Sequence, residues 1–126
     1  SVEIVNAIRM VASTFSLNGI AEAAAVAAWN EPEYTQFILD QNAKERSRVV
    51  NGLQDMGYNP MESVTNFVSC DIKHPATDIV KAMRARSVRI STVGGNEFVN
   101  HIRLSMGTPE DTDAFLDNLK KVLDTF

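Results

Sequence analysis

Cysteine is nearly absent from this chain. Cys70 is the only one, so an intrachain disulfide and a thiolate metal cluster are both excluded. Val68 and Ile72 flank it, which predicts a buried, structural thiol on a strand, unreactive because apolar surroundings raise a thiol's pKa. No apolar run reaches the length of about eighteen residues that a membrane-spanning helix needs, so no membrane partner is expected. Basic residues are outnumbered, 12 Lys and Arg against 16 Asp and Glu, for a net charge of -4. No basic stripe interleaves with the aromatics, and nucleic acid is therefore disfavoured as a partner. His74 and His101 lie far apart with no carboxylate or cysteine cluster at ligand spacing, so no metal site is expected. No serine sits in a G-x-S-x-G elbow, and Gly94-Gly95 falls short of a dinucleotide-binding fingerprint. The residues alone offer no complete catalytic set. Repeats, low-complexity segments and linkers are also missing. No signal peptide is visible. The chain begins at Ser1 with a helix-like pattern almost at once, and the expectation is a piece of something longer. A single cysteine suits the cytoplasm, the expected compartment, with export left open.

What is present suits one folded domain over residues 1–126. A chain of 126 residues buries about two-thirds of its unfolded surface. Its apolar fraction of 44% and charged fraction of 22% are ordinary for a globular protein. Helical spacing runs over Val2 to Val11. The alanine-rich run from Ile20 to Trp29 predicts a helix buried against other elements. A long helix is expected from Pro32 to Met56, stopped by Gly57. Pro60 limits Tyr58–Ser63 to irregular or edge structure. Strands are expected at Asn66–Ile72, Val88–Ser91 and from His101, with helices at Ala76–Arg86 and from Pro109 to about Phe126. The order predicts a two-layer α+β domain. Its sheet is small, antiparallel or mixed, of about three strands, with helices on one face.

The segment from His101 to Glu110 is the most telling. Ile102, Leu104 and Met106 share one strand face, and His101, Arg103 and Ser105 share the other. Gly107 permits a sharp turn, Thr108 is a good N-cap, Pro109 suits the first helical position, and Glu110 and Asp111 complement the helix dipole. A lone arginine on the non-core face, backed by a rigid turn, suits a receptor for a carboxylate or phosphate. On spacing alone, an ordinary surface arginine is the plainer reading.

This strand–turn–helix resembles the end of class I/II (fold type I) pyridoxal-phosphate aminotransferases, especially the histidinol-phosphate aminotransferase branch. Their pattern there runs hydrophobic-Arg-hydrophobic-Ser-hydrophobic-Gly-Thr-Pro-Glu. Further segments are similar in the same order: Phe15 to Trp29, with Asn18; Gly57-Tyr58; Ser63 to Val68, with Asn66; and Met83 to Ile90. The resemblance covers nearly the whole chain and implies an aminotransferase small domain. It implies that Arg103 holds the substrate carboxylate, with Asn18, Asn66 and Arg89 as further candidates at the substrate edge. Capping or turn bonding is the plainer reading of both asparagines.

The resemblance also implies what this chain lacks. Family members hold pyridoxal phosphate through a lysine on a large domain, and none of Lys44, Lys73, Lys81, Lys120 and Lys121 stands in that motif. No catalytic or cofactor-binding residue is thus expected here. The implied partners are the missing large domain of the same polypeptide and an amino-acid substrate, in an intact enzyme that is a homodimer. By itself the chain is expected to bind no cofactor tightly and to catalyse nothing. Two positions depart from the pattern. Ser87 stands where the family often has glycine, and Ser91-Thr92-Val93 where many histidinol-phosphate enzymes carry a second arginine. Histidinol phosphate is accordingly one candidate substrate among several. The alternatives are a stand-alone α+β binding or regulatory module, and the small domain of a related pyridoxal-phosphate decarboxylase.

Overall fold

The computed structural model describes residues 1–13 and 16–126; Thr14 and Phe15, the latter part of the family resemblance, lie outside the described residues. The chain divides into two compact units, Ser1–Phe37 and Ile38–Phe126.

The first unit holds α1 (Val2–Val11), α2 (Gly19–Trp29) and the opening turns of α3 (Pro32–Asp55). Both short helices start on side-chain caps. The Ser1 hydroxyl accepts from the Ile4 amide and the Asn18 carboxamide oxygen from the Ala21 amide. Neither helix buries a residue. The expectation of a buried alanine-rich helix is therefore corrected. Alanine favours the helix itself, but among the described residues no side chain of α2 is buried, and Ile20 and Trp29 stand 84% and 88% exposed.

The second unit carries the core. Its strands are β1 (Phe67–Asp71), β2 (Ser91–Thr92) and β3 (His101–Ser105), in the order β1-β3-β2. β3 runs antiparallel to both neighbours, pairing Arg103 with Ser69 on one side and with Ser91 on the other. β1 and β2 are therefore parallel to each other, joined through α4 (Ala76–Ala85), with β3 inserted between them. Pro60 makes only an isolated bridge to Cys70, as a residue without an N–H donor must at a sheet edge. Val68, Cys70 and Ile102 face the core, where they meet Val49 and Leu53 of α3, Ile79 and Met83 of α4, and Phe115 and Leu119 of α5 (Pro109–Leu123). The helices of this unit thus lie on one face, and the sheet is the small α+β type expected.

Strand β2 is shorter than expected and starts later. Val88–Ile90 is not strand because the end of α4 claims its first amide. Ser87 donates to Arg84 and Val88 to Met83, both 3.0 Å, with Ser87 at φ 63°. This is a Schellman closure. The same closure ends α3, where Gly57 at φ 85° donates to Gln54 and Tyr58 to Leu53. Ser87 fills a left-handed position that glycine fills more cheaply.

Candidate functional site

Arg103 is the third residue of β3, on the sheet face opposite the helices. Alternation puts it there, since its neighbour Ile102 is 2% exposed while Arg103 is open to solvent. Its guanidinium carbon lies 4.0 Å from the centroid of the Phe67 ring. Phe67 pairs with Ser105, so the ring reaches Arg103 along the diagonal of the ladder. Stacking on the ring leaves the edges of the guanidinium, where its N–H donors are, available to an anion.

The corner after β3 is braced at several points. The Thr108 hydroxyl accepts from the Asp111 amide at 3.3 Å, and Asp111 accepts from the Thr108 amide at 2.9 Å. Gly107 is needed for space rather than for a left-handed backbone. A Cβ there would meet Asp111 Oδ2 at 2.5 Å. Arg48 of α3 donates to the Pro109 carbonyl at 3.3 Å, to Glu45 at 2.7 Å and also to Asp113. The hydrogen bond to Glu45, followed by that to Asp113, raises its pKa further above the ordinary arginine value. The turn into α5 is thereby tied to α3.

Beside Arg103 the surface sinks into a cleft of about 600 Å³. Arg84, Arg89, Ser91, Thr92 and Ser105 line it with Arg103, and Val80 and Ile90 supply apolar wall. The structure therefore brings Arg103 and Arg89 together. Asn66 is not among the lining residues. It is exposed, and its carbonyl accepts from the Met106 amide at 2.8 Å, which fastens the end of β3. Asn18 belongs to the first unit, where it caps α2.

Arg84 and Phe67 were not legible as site residues. Arg84 looks like any solvated arginine in the last turn of a helix, and Phe67 like an ordinary strand aromatic. Ser105 did carry a signal, since it alternates with Arg103. His101 packs edge-on against Phe98, ring centroids 5.0 Å apart, and its buried Nδ1 has no partner. No group of residues suited to hold a metal occurs among the described residues. Cys70 is 1% exposed, and burial, followed by the Asp71 charge, pushes its thiol up to about 11. Its structural character is as expected. All five lysines are exposed and none lines the Arg103 cleft. The described residues lining the cleft thus include no lysine to hold pyridoxal phosphate.

An antiparallel three-stranded sheet flanked by helices matches the small-domain-like α+β fold of aminotransferases. Residues 1–119 match the family model for aminotransferase class I and II, and the chain belongs to that family. Histidinol-phosphate aminotransferase 2 of Haemophilus influenzae is 33% identical over 121 residues, covering 96% of this chain and 33% of that protein. The enzyme of the same name from Methylococcus capsulatus is 32% identical over 122 residues, with 97% and 33% covered. Among solved structures, histidinol-phosphate aminotransferase from Sinorhizobium meliloti in complex with pyridoxal-5'-phosphate aligns with a TM-score of 0.72 at 26% identity, over 94% of this chain and 34% of that one. A decarboxylase from Sulfurospirillum multivorans shares the fold at a TM-score of 0.69 and 19% identity, over 100% of this chain and 34% of that one. The chain spans about a third of the length of the relatives it matches.

Proposed function

We propose that this chain is the C-terminal small domain of a pyridoxal-phosphate-dependent transaminase. The whole enzyme would move an amino group between an amino acid and a 2-oxo acid, with histidinol phosphate among the candidate substrates. Arg103 receives the carboxylate of the amino acid or 2-oxo acid substrate; histidinol phosphate itself carries no carboxylate. The cofactor supplies the amino-transfer chemistry, and the large domain of the same polypeptide supplies the lysine and the phosphate contacts. The chain alone is inactive.

One observation carries this reading: the family match runs through residues 1–119, yet the relatives are about three times as long. Two others support it. Arg103 has no carboxylate partner among the described residues and presents its fork of donors on the uncovered sheet face. Such a fork accepts a carboxylate through two parallel charge-assisted hydrogen bonds and fixes its orientation. The first unit also leaves large side chains such as Ile8, Ile20 and Trp29 exposed, more apolar surface than a self-sufficient module would show.

The test is the coding sequence upstream of Ser1, followed by expression of the whole polypeptide. The expected results are a lysine-bearing large domain, bound cofactor seen by its absorption, and amino transfer to a 2-oxo acid. In that polypeptide Arg103→Ala should leave the fold intact and reduce turnover by well over tenfold, since loss of a charge-paired anchor costs roughly 2–5 kcal/mol. An upstream region without such a domain would return the chain to the class of stand-alone modules. Release of carbon dioxide in place of amino transfer would make it part of a decarboxylase. Normal kinetics for the Arg103 variant would overturn the carboxylate assignment.

A further inference from the structure

Two asparagines of this chain are followed by glycine, Asn18-Gly19 and Asn51-Gly52. In sequence the pairs are equivalent. Glycine has no Cβ to shield its amide nitrogen, so each pair has the same intrinsic route to cyclisation of the asparagine side chain onto the backbone. Folding separates them.

Asn51-Gly52 lies inside α3, where the Gly52 N–H belongs to the ladder of bonds to the carbonyl four residues back. The Gly52 backbone is pressed against α5. A Cβ there would stand 2.6 Å from Leu116 Cδ2. Val49 and Leu53, to either side, are 0% and 1% exposed. Bringing the Gly52 nitrogen onto the Asn51 side chain therefore means opening α3 where it packs on the core.

Asn18-Gly19 is held by much less. Asn18 is the exposed N-cap of α2, and Gly19 is the first helical residue, so its N–H has no acceptor within the helix. A Cβ on Gly19 would meet nothing within 4 Å. The Asn18 carboxamide oxygen accepts from the Ala21 amide at 2.8 Å, which polarises the Cγ carbon. A rotation about Asn18 ψ, away from its extended value of 158°, carries the Gly19 nitrogen to that carbon. It opens only the first turn of a helix that buries no residue, the kind of segment that opens most readily.

We propose that Asn18 is a site of spontaneous deamidation and that Asn51 is protected from it. The Gly19 amide gives its proton to solvent, and its nitrogen attacks Asn18 Cγ. The bond from Cγ to the carboxamide nitrogen breaks, and ammonia leaves with a proton taken back from solvent. Water then opens the five-membered imide at either carbonyl. One opening leaves aspartate, which caps α2 as asparagine does. The other leaves isoaspartate, whose added backbone methylene takes its carboxylate away from the Ala21 amide. Both products add a negative charge at the head of α2, and nothing is oxidised or reduced.

The chain is incubated in mildly alkaline buffer and digested, and both asparagine peptides are followed by mass spectrometry, where each conversion adds a single dalton. In native buffer Asn18 should convert at least tenfold faster than Asn51, giving both aspartate and isoaspartate. In denaturing urea the two rates should converge, because the pairs are then equivalent. Gly19→Ala, whose methyl group meets no neighbour, should slow conversion of Asn18 at least tenfold and leave the circular dichroism of the chain unchanged. Native rates that differ no more than the rates in urea, conversion at Asn51 first, or an unaffected rate in the Gly19 variant would each overturn the assignment.

Discussion

The guanidinium of Arg103 lies over the ring of Phe67, 4.0 Å from its centroid, although the two residues belong to different strands and are not direct ladder partners. Register creates the contact. Phe67 opposes Ser105 and Ser69 opposes Arg103, so the ring and the guanidinium meet diagonally on the face without helices. The ring restricts where a long, flexible side chain points, which lowers the entropy lost when an anion binds.

Replacing Phe67 by Leu should keep the strand and loosen the arginine. A cation–π contact at an exposed site contributes about 0.5–1 kcal/mol, so carboxylate affinity should fall roughly two- to fivefold. Acetate titration of Arg103 measures this directly. Unchanged affinity would show that the ring does not orient the side chain.

Gly107→Ala should destabilise the domain. The added methyl carbon would stand 2.5 Å from Asp111 Oδ2 and 2.9 Å from Asp111 Cβ, and the capping box has to open to admit it. Loss of a cap costs about 0.5–2 kcal/mol. Urea denaturation should show a lower midpoint with an unchanged slope, and Thr108→Ala should behave alike. A midpoint equal to that of the parent would mean that the box is dispensable.

Ser87→Gly should stabilise. Serine at φ 63° bears the roughly 1–2 kcal/mol cost of the left-handed region, partly offset by the greater freedom glycine has when unfolded. A net gain of about 0.5–1 kcal/mol is expected in the same urea experiment. A loss of stability would indicate that the Ser87 side chain makes a contact worth more than the strain.

The Cys70 thiol gives stability a defined alkaline dependence. Burial raises it to about 11, above the free-thiol value of 9.0. Between those values the unfolded chain gives up the proton and the folded chain keeps it, so the unfolded state is favoured as pH rises. Its contribution is complete below about 9 and lost by about 11. In Cys70→Ala this part of the decline should vanish, as measured by urea midpoints across that range. For the same reason, a disulfide reagent should modify Cys70 only as fast as the domain opens. Immediate reaction in the native state would contradict the burial.

Most of the second unit is written in local pattern. Alternation through Ile102, Arg103 and Leu104 places the arginine on the open face, and Thr-Pro-Glu-Asp from 108 to 111 sets the start of α5. These depend on near neighbours alone, which is why they can be read without a structure. Gly57 stops α3 for an equally local reason, its positive φ. Val88–Ile90 misled because its β-branched residues suit a strand, whereas the Schellman closure of α4 takes the Val88 amide first. The alanine-rich helix misled because composition reports helix propensity, while burial depends on what else is there to cover it.

The sequence by itself determined the α+β order and the arginine on its strand, since each follows from residue types at short spacing, and its resemblance to known aminotransferases pointed to the family. Only the tertiary structure decided which groups stand around that arginine. Phe67 reaches it through strand register, and Arg84 and Arg89 share its cleft because α4 ends in a left-handed turn beside β2. Those are relations between residues distant in sequence, and they exist only once the chain has folded.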